Sequence, residues 1–213
     1  MNIRAEGDAR EELRRRFRVS RETMAALDRH LELLAKWTAR INLVSRDSLR
    51  QAWSRHFLDS AQILPLVSRQ GGLWADIGSG GGFPGLVLAI LSHESAPGRR
   101  FLLIESDRRK AAFLRAVVAE LSLRADVVVS RAEALPPLGA SVLSARALAP
   151  LEVLLSHAER HLAPGGAAVF PKGAEAGREI EEALEKWRFR VQKHQSVTRR
   201  DAVILKITEI ERA

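Results

Sequence analysis

The run Asp76-Ile77-Gly78-Ser79-Gly80-Gly81-Gly82-Phe83-Pro84-Gly85 limits what this chain can fold into more than any other stretch. It follows a short apolar segment, Leu73–Ile77, that reads as a strand, and it precedes Pro84–Leu91, which reads as a helix. Five glycines within residues 78–85 exceed what a plain strand-to-helix turn needs. Glycine lets the chain turn tightly and lets a ligand approach the backbone. A loop at the carboxyl end of a strand, near the switch point of an alternating sheet, is where such folds bind ligands.

Beyond the loop the texture alternates. Arg100–Glu105 reads as a second strand, followed by a helix over Arg108–Leu121. Ala125–Ser130 and Ser141–Ala145 read as the third and fourth strands. A helix opens at Pro150, runs to about Leu162 and stops at the Ala-Pro-Gly-Gly of 163–166. Ala167–Phe170 is the fifth strand, Glu175–Trp187 a helix, and Phe189–Val197 with Ala202–Ile210 the last two strands. Regular β-α-β alternation predicts a mostly parallel sheet with helices on both faces. The final two strands are joined by too few residues for a crossover helix, so they pair as an antiparallel hairpin. The expected fold class is therefore α/β: a seven-stranded, mostly parallel sheet ending in a C-terminal antiparallel hairpin, the pattern of the Rossmann-like methyltransferase domain.

The first seventy residues differ. No strand-like alternation precedes residue 72, and Leu27, Leu31, Leu34, Trp37 and Ile41 form one amphipathic helical stripe. The pair Gly71-Gly72 breaks the pattern. We expect an N-terminal helical extension over 1–70 and the Rossmann-like domain over 71–213, with the stripe as core between them. The length of 213 residues suits one medium domain plus an extension. The absence of cysteine removes disulfide scaffolds, zinc–thiolate sites and cysteine nucleophiles, and suits a reducing compartment. The charged N-terminus is not a secretory signal, and no apolar run reaches the ~20 residues of a membrane span. A cytoplasmic protein with no membrane association is expected.

The net charge is +8, from 34 basic and 26 acidic residues. Within 1–70 there are 14 basic and 9 acidic side chains, so the excess is densest at the front. Such an excess favours polyanions such as nucleic acid. Arginine outnumbers lysine 28 to 6, which base composition alone can produce, and both signs are interspersed as on any solvated surface. Charge alone leaves the two readings level.

Gly80, Gly82 and Gly85 satisfy G-x-G-x-x-G, the dinucleotide pattern. Asp76 argues against a pyrophosphate by placing an anion before the loop. S-adenosylmethionine, with an ammonium and a sulfonium and no phosphate, suits Asp76, Gly78 and Gly80 better. Glu105, ending the second strand, is the expected acceptor for the ribose hydroxyls, with Asp107 as its competitor. Ser130-Arg131-Ala132-Glu133, at the end of the third strand, is expected to flank the adenine. A nicotinamide-dependent oxidoreductase remains the rival class, although no hydride-transfer partner is evident.

The sequence resembles the RsmG (GidB) family of 16S ribosomal RNA guanine-N7 methyltransferases. The resemblance runs from about residue 30 to 173 and rests on Trp37 with Ile41-Asn42-Leu43-Val44-Ser45, Trp53-Ser54-Arg55-His56 with Asp59-Ser60, the loop 76–85, Glu105-Ser106 with Arg109-Lys110, Phe113-Leu114, Ser130-Arg131-Ala132-Glu133, Ala145-Arg146-Ala147 and Pro171-Lys172-Gly173. It implies methyl transfer from S-adenosylmethionine to N7 of a guanine in the 530 loop of 16S rRNA. By position it implies cofactor contacts at Gly78, Phe83, Ala132, Glu133 and Arg146. The implied partner is 16S rRNA or the small ribosomal subunit, and a monomer is expected.

Guanine N7 carries a lone pair and no proton, so no general base is required and orientation does the work. Arg131, Arg146 and Lys172, at or near the ends of the third, fourth and fifth strands, are candidates to orient the base through O6 or phosphate. Their plain alternative is a carboxylate partner, for example Glu133 for Arg131. The ammonium of Lys172 is expected over the open side of the pocket. His56 and Asn42 are candidate RNA or cofactor contacts, against a structural role. His30, His93, His157, His161 and His194 show no metal-ligand spacing, and no metal is expected. A methyltransferase acting on another RNA, and a non-catalytic RNA-binding module, are the further alternatives.

Overall fold

A computed structural model describes residues 3–68 and 71–213. Met1, Asn2, Arg69 and Gln70, which fall in the expected extension, lie outside the described residues. The chain begins with α1 (Ile3–Arg16), α2 (Arg21–Thr38) and a short α3 (Arg46–Leu49). A π-helical turn, Trp53–Leu58, then continues directly into α4 (Asp59–Ala61). Ser20 and Ser45 cap α2 and α3 by accepting from the Thr23 and Ser48 amides at 3.0 and 3.1 Å.

The alternating part comprises β1 (Gly72–Ile77), α5 (Gly85–Ser95), β2 (Arg99–Glu105), α6 (Arg108–Glu120), β3 (Ala125–Val129), β4 (Ala140–Ser144), α7 (Leu151–His161), β5 (Leu162–Lys172), α8 (Ala176–Leu184), β6 (Trp187–Gln195) and β7 (Val203–Arg212). The sheet order is β3-β2-β1-β4-β5-β7-β6. β1 to β5 pair in parallel, while β7 inserts antiparallel between β5 and β6. The α/β class, the mostly parallel seven-stranded sheet and the terminal hairpin are as expected. β5 begins earlier than expected. The Ala-Pro-Gly-Gly segment runs inside the strand, and the register jumps from Ala140–Leu162 to Val142–Ala167, with Gly165 at φ 74° in the bulge. α8 stops at Leu184, because Trp187 opens β6 opposite Arg212 and is buried.

The strand order reverses between β1 and β4, so the carboxyl ends of those two strands flank the crevice of the sheet. α5 leads away from it. Its residues Gly85–Ser92 are buried on every side, as expected for a helix apolar all round. Fully buried Leu27 and Leu34 of α2 and Leu13 of α1 belong to the same hydrophobic cluster as Leu86, Leu88 and Phe113. Each such side chain contributes roughly 1.5–3 kcal/mol of transfer free energy. The helical segment is thus one layer of the structure, and its π turn reaches the crevice. Among the described residues no helix is long and apolar enough to cross a membrane.

Candidate active site

The glycine loop is built by the backbone. Gly78, Gly80 and Gly82 take φ of 68°, 54° and 87°, a region that costs a side-chain-bearing residue. The Gly78 and Ser79 amides donate to the Ile104 carbonyl at 2.9 and 3.1 Å, tying the loop to β2. Glu105 Oε2 accepts from the Gly80 amide at 2.9 Å, and Oε1 from the Asp107 amide at 2.8 Å. Asp107, its competitor for the ribose, is engaged as well. It caps α6, accepting from the Arg109 and Lys110 amides at 2.7 and 3.2 Å.

Asp76 requires a correction. It was expected to meet a cationic ligand, yet its side chain is fully buried. One oxygen accepts from Ser144 Oγ at 2.5 Å and the other from the Gly85 amide at 3.2 Å. Burial raises its pKa from 3.8 to about 6, against the opposing hydrogen bonds from Ser144, Ser79 and Gly85. Asp76 is an internal brace that joins β1, β4 and the start of α5.

A cavity of about 1270 Å³ opens along the crevice. Its wall includes Gly78, Gly80, Phe83, His56, Arg146 and Lys172, so six of the expected site residues converge there. Asp76, Glu105, Arg131, Ala132 and Glu133 are not part of that wall. Ala132 is buried and opens a 3₁₀ turn, Ala132–Ala134, held by a 3.1 Å hydrogen bond from His161 Nε2 to its carbonyl. Arg131 and Glu133 are exposed, and no ion pair joins them.

Arg146 leaves the end of β4 and crosses to the π turn. Its guanidinium lies 5.2 Å from the Phe83 ring centroid, and its side chain is 19% exposed. Nη1 donates to the Arg55 carbonyl at 3.0 Å and to Asp59 Oδ2 at 3.3 Å, and Nη2 lies 2.9 Å from His56 Nδ1. Burial pulls the Arg146 pKa down, and Asp59 opposes that shift. His56 stacks on Phe83 with centroids 4.7 Å apart and planes 21° apart. Burial, then the charges of Arg146 and Arg55, push the His56 pKa down to about 3, so it is neutral at physiological pH. Asp59, to which the sequence motif alone assigns no role, holds the Arg146 guanidinium in place. Its Oδ1 also accepts from Thr198 Oγ1 at 2.8 Å and from Gln62 Nε2 at 2.9 Å, joining the β6–β7 turn to Arg146.

Lys172 is the second correction. Its ammonium does not lie free over the pocket. It donates to Glu179 Oε2 at 2.6 Å and to the Ala149 carbonyl at 3.0 Å, with its side chain 9% exposed. Glu179 Oε2 also accepts from the Leu151 amide at 2.6 Å. A buried ammonium needs a carboxylate, and α8 supplies one that the sequence reading missed. The pair clamps the 145–150 loop, whose Leu148 lies against Gly78.

These features define a class. A glycine loop after β1 with bare backbone at Gly80, an acidic residue ending β2 and a β7 strand inserted next to β5 make this an S-adenosylmethionine-dependent methyltransferase. An added Cβ at Gly80 would meet only the Gly78 carbonyl, at 3.7 Å, so the loop floor has room for that cofactor. Residues 23–208 match the family described as rRNA small subunit methyltransferase G. The chain belongs to that family. It is 48% identical over 194 residues to Ribosomal RNA small subunit methyltransferase G of Ruegeria pomeroyi, covering 91% of this chain and 95% of the relative. The protein of that name from Acidiphilium cryptum is 48% identical over 211 residues, covering 97% and 95%. In fold the chain is similar to a SAM dependent methyltransferase from Aquifex aeolicus, with a TM-score of 0.58 and 16% identity over 82% of this chain and 98% of that one. The nicotinamide alternative is set aside. Among the described residues no group of three or more His, Asp or Glu side chains is placed to hold a metal.

Proposed function

We propose that this protein methylates N7 of a guanine in the 530 loop of 16S ribosomal RNA, with the small ribosomal subunit or its rRNA as partner. Bound S-adenosylmethionine supplies an electrophilic methyl group: the N7–carbon bond forms as the carbon–sulfur bond breaks, the electron pair leaves on sulfur, and no proton leaves N7. The reading rests on family membership and on one observation about the cavity wall. Among the described residues, every acid lining it is engaged by a cation. Asp59 pairs with Arg146, Glu179 with Lys172, and Glu175 and Glu182 with Arg178. The lining imidazole, His56, faces Arg146 with Nδ1. A wall whose described acids are all ion-paired suits a nucleophile that has no proton to lose better than an exocyclic amine.

In this reading Gly78, Gly80, Phe83, Glu105, Ala132 and Glu133 hold the cofactor, and Arg146 orients cofactor and base together. Exposed Arg131 meets RNA phosphate. Lys172 acts through the 145–150 loop it clamps rather than by touching RNA. The basic N-terminal layer adds affinity for the polyanion, which weakens steeply with salt through counterion release. Mapping 7-methylguanosine in 16S rRNA from cells with and without the gene tests the proposal. A methyl mark that persists without the gene overturns it, and a mark lost from another RNA redirects it. In calorimetry, Gly78→Val abolishes S-adenosylmethionine binding, since φ 68° resists a branched side chain and the added atoms would stand on the cavity wall beside Leu148. Normal binding by a folded Gly78→Val protein removes the loop from the site.

A further inference from the structure

We infer that His56 is a ligand-binding residue whose Nε2–H donates a hydrogen bond to an sp² oxygen bound in the cavity. The inference rests on the methyltransferase reading and adds an atom, a protonation state and a partner chemistry to it. A guanidinium has five donors and no acceptor. At 2.9 Å from Arg146 Nη2, His56 Nδ1 therefore accepts, and the ring's proton resides on Nε2. Nε2 is buried and meets no partner among the described residues. A buried donor without a partner is costly, and native structures rarely keep one without a reason.

Other buried side-chain atoms lack a partner too, among them His30 Nδ1, Ser60 Oγ, Ser92 Oγ and His161 Nδ1. None of those residues lines the large cavity, whereas His56 does. The ring is also held in place. It stacks on Phe83, which ends the glycine loop, and its π turn is braced from α1 by Glu6, which accepts from the Trp53 amide at 2.8 Å and the Ser54 hydroxyl at 2.6 Å. A held ring with an unused donor loses little entropy when it meets an acceptor. The charges around it define the acceptor class. Arg146 and Arg55 together outweigh Asp59, the imidazole is neutral, and a cation brought to Nε2 would be repelled both by these guanidiniums and by the N–H. A carbonyl or carboxylate oxygen fits. The cofactor's amino-acid carboxylate and guanine O6 both present one.

The experiment uses the full chain and three measurements. Nitrogen-15 NMR of the histidine rings reads the tautomer, and the Nε2–H form is expected at His56 from pH 5 to 8. Calorimetry with S-adenosylhomocysteine reads the carboxylate source, and single-turnover transfer to 16S rRNA at saturating cofactor reads the O6 source. His56→Phe keeps the stacking and deletes the donor, while His56→Gln restores an N–H near the same place. The affected measurement falls roughly ten- to a hundred-fold in the Phe variant and recovers in the Gln variant. A loss in calorimetry assigns the partner to the cofactor; a loss confined to transfer assigns it to the base. An Nδ1–H tautomer overturns the inference. So do a Phe variant equal to the wild type in both arms, and equal losses in the Phe and Gln variants. If the wild-type protein binds S-adenosylhomocysteine but leaves rRNA unmethylated, the substrate reading fails, and the tautomer and calorimetry alone decide the role of His56.

Discussion

On the β1–β2 side of the cavity the shape is made by backbone groups. Loop amides donate to the Ile104 carbonyl and to Glu105, and glycines take the turns that other residues resist. On the β4–β5 side the shape is made by long side chains. Arg146 reaches Asp59, and Lys172 reaches Glu179, each pair crossing between separate elements. The two sides should fail differently. A loop built on glycine has no room to adapt, so a single added carbon matters. A rim built on ion pairs can lose one partner and keep its outline, with a penalty that depends on burial.

The largest effect is expected from Gly85→Val. A Cβ at Gly85 would lie 2.5 Å from Leu103 Cδ2 and 2.6 Å from Asp76 Oδ2, both inside the core. Overpacking of this severity costs about 3 kcal/mol or more. The urea midpoint should fall sharply and cofactor binding should be lost with it. A variant as stable as the wild type would show that the backbone-built side is more pliable than its contacts imply.

Asp76 sharpens the comparison through pH. Its folded pKa of about 6 lies above its ordinary 3.8. Between about pH 4 and 6 the folded state holds the proton more tightly than the unfolded chain, so unfolding free energy falls as pH rises. That difference corresponds to about 3 kcal/mol, fully lost above pH 6. Asp76→Asn carries no titratable group, so its stability should be flatter across that window. Denaturation series at pH 4, 5, 6 and 7 on both proteins provide the check, and parallel curves would remove Asp76 as the source.

The rim is tested next by a double-mutant cycle. Lys172→Met and Glu179→Gln each break a largely buried pair, at about 2–3 kcal/mol of stability once partial exposure is allowed for. If Lys172 acts only by clamping the 145–150 loop, both variants slow methyl transfer alike, and the double variant is no worse than either one. A transfer defect in Lys172→Met that Glu179→Gln does not share would return Lys172 to direct contact with RNA.

The same contrast explains what could be read from the sequence. The alternation of strands and helices, the glycine loop and the acidic end of β2 are local requirements of the backbone, so neighbouring residues reveal them. The cap made by Asp107 reads as a possible ribose contact, although an aspartate just before the Arg108 helix is an N-cap signal. The partners of Arg146 and Lys172 were not readable. His56 is 90 residues from Arg146, and Thr198 is 139 from Asp59, so only the fold brings them together. The β5 bulge escaped for a related reason. Ala-Pro-Gly-Gly carries every local mark of a turn, and pairing with β4 overrides it.

The smallest effect concerns Thr198. Its hydroxyl donates to Asp59 Oδ1 at 2.8 Å, while Asp59 Oδ2 accepts from Arg146 at 3.3 Å. One carboxylate therefore links the β6–β7 turn to the guanidinium over Phe83. Thr198→Val keeps the shape and deletes the donor. Gln62 still donates to the same oxygen at 2.9 Å, so Asp59 stays partly held. A hydrogen bond to a charged group is worth about 1.5–3 kcal/mol, and the remaining Gln62 contact and partial exposure reduce this to about 1 kcal/mol. If that loss is felt in the transition state, transfer slows roughly five-fold. Thr198→Ser, which keeps the hydroxyl, should transfer at the wild-type rate. A structural role alone would lower the melting temperature without moving Arg146, so the second readout is its reactivity toward phenylglyoxal, followed by mass spectrometry. Arg146 should react faster in the Val variant and unchanged in the Ser variant. Equal reactivity in all three proteins would mean that Asp59 holds the guanidinium without help from the turn, and that the ion-paired rim is stiffer than its exposure suggests.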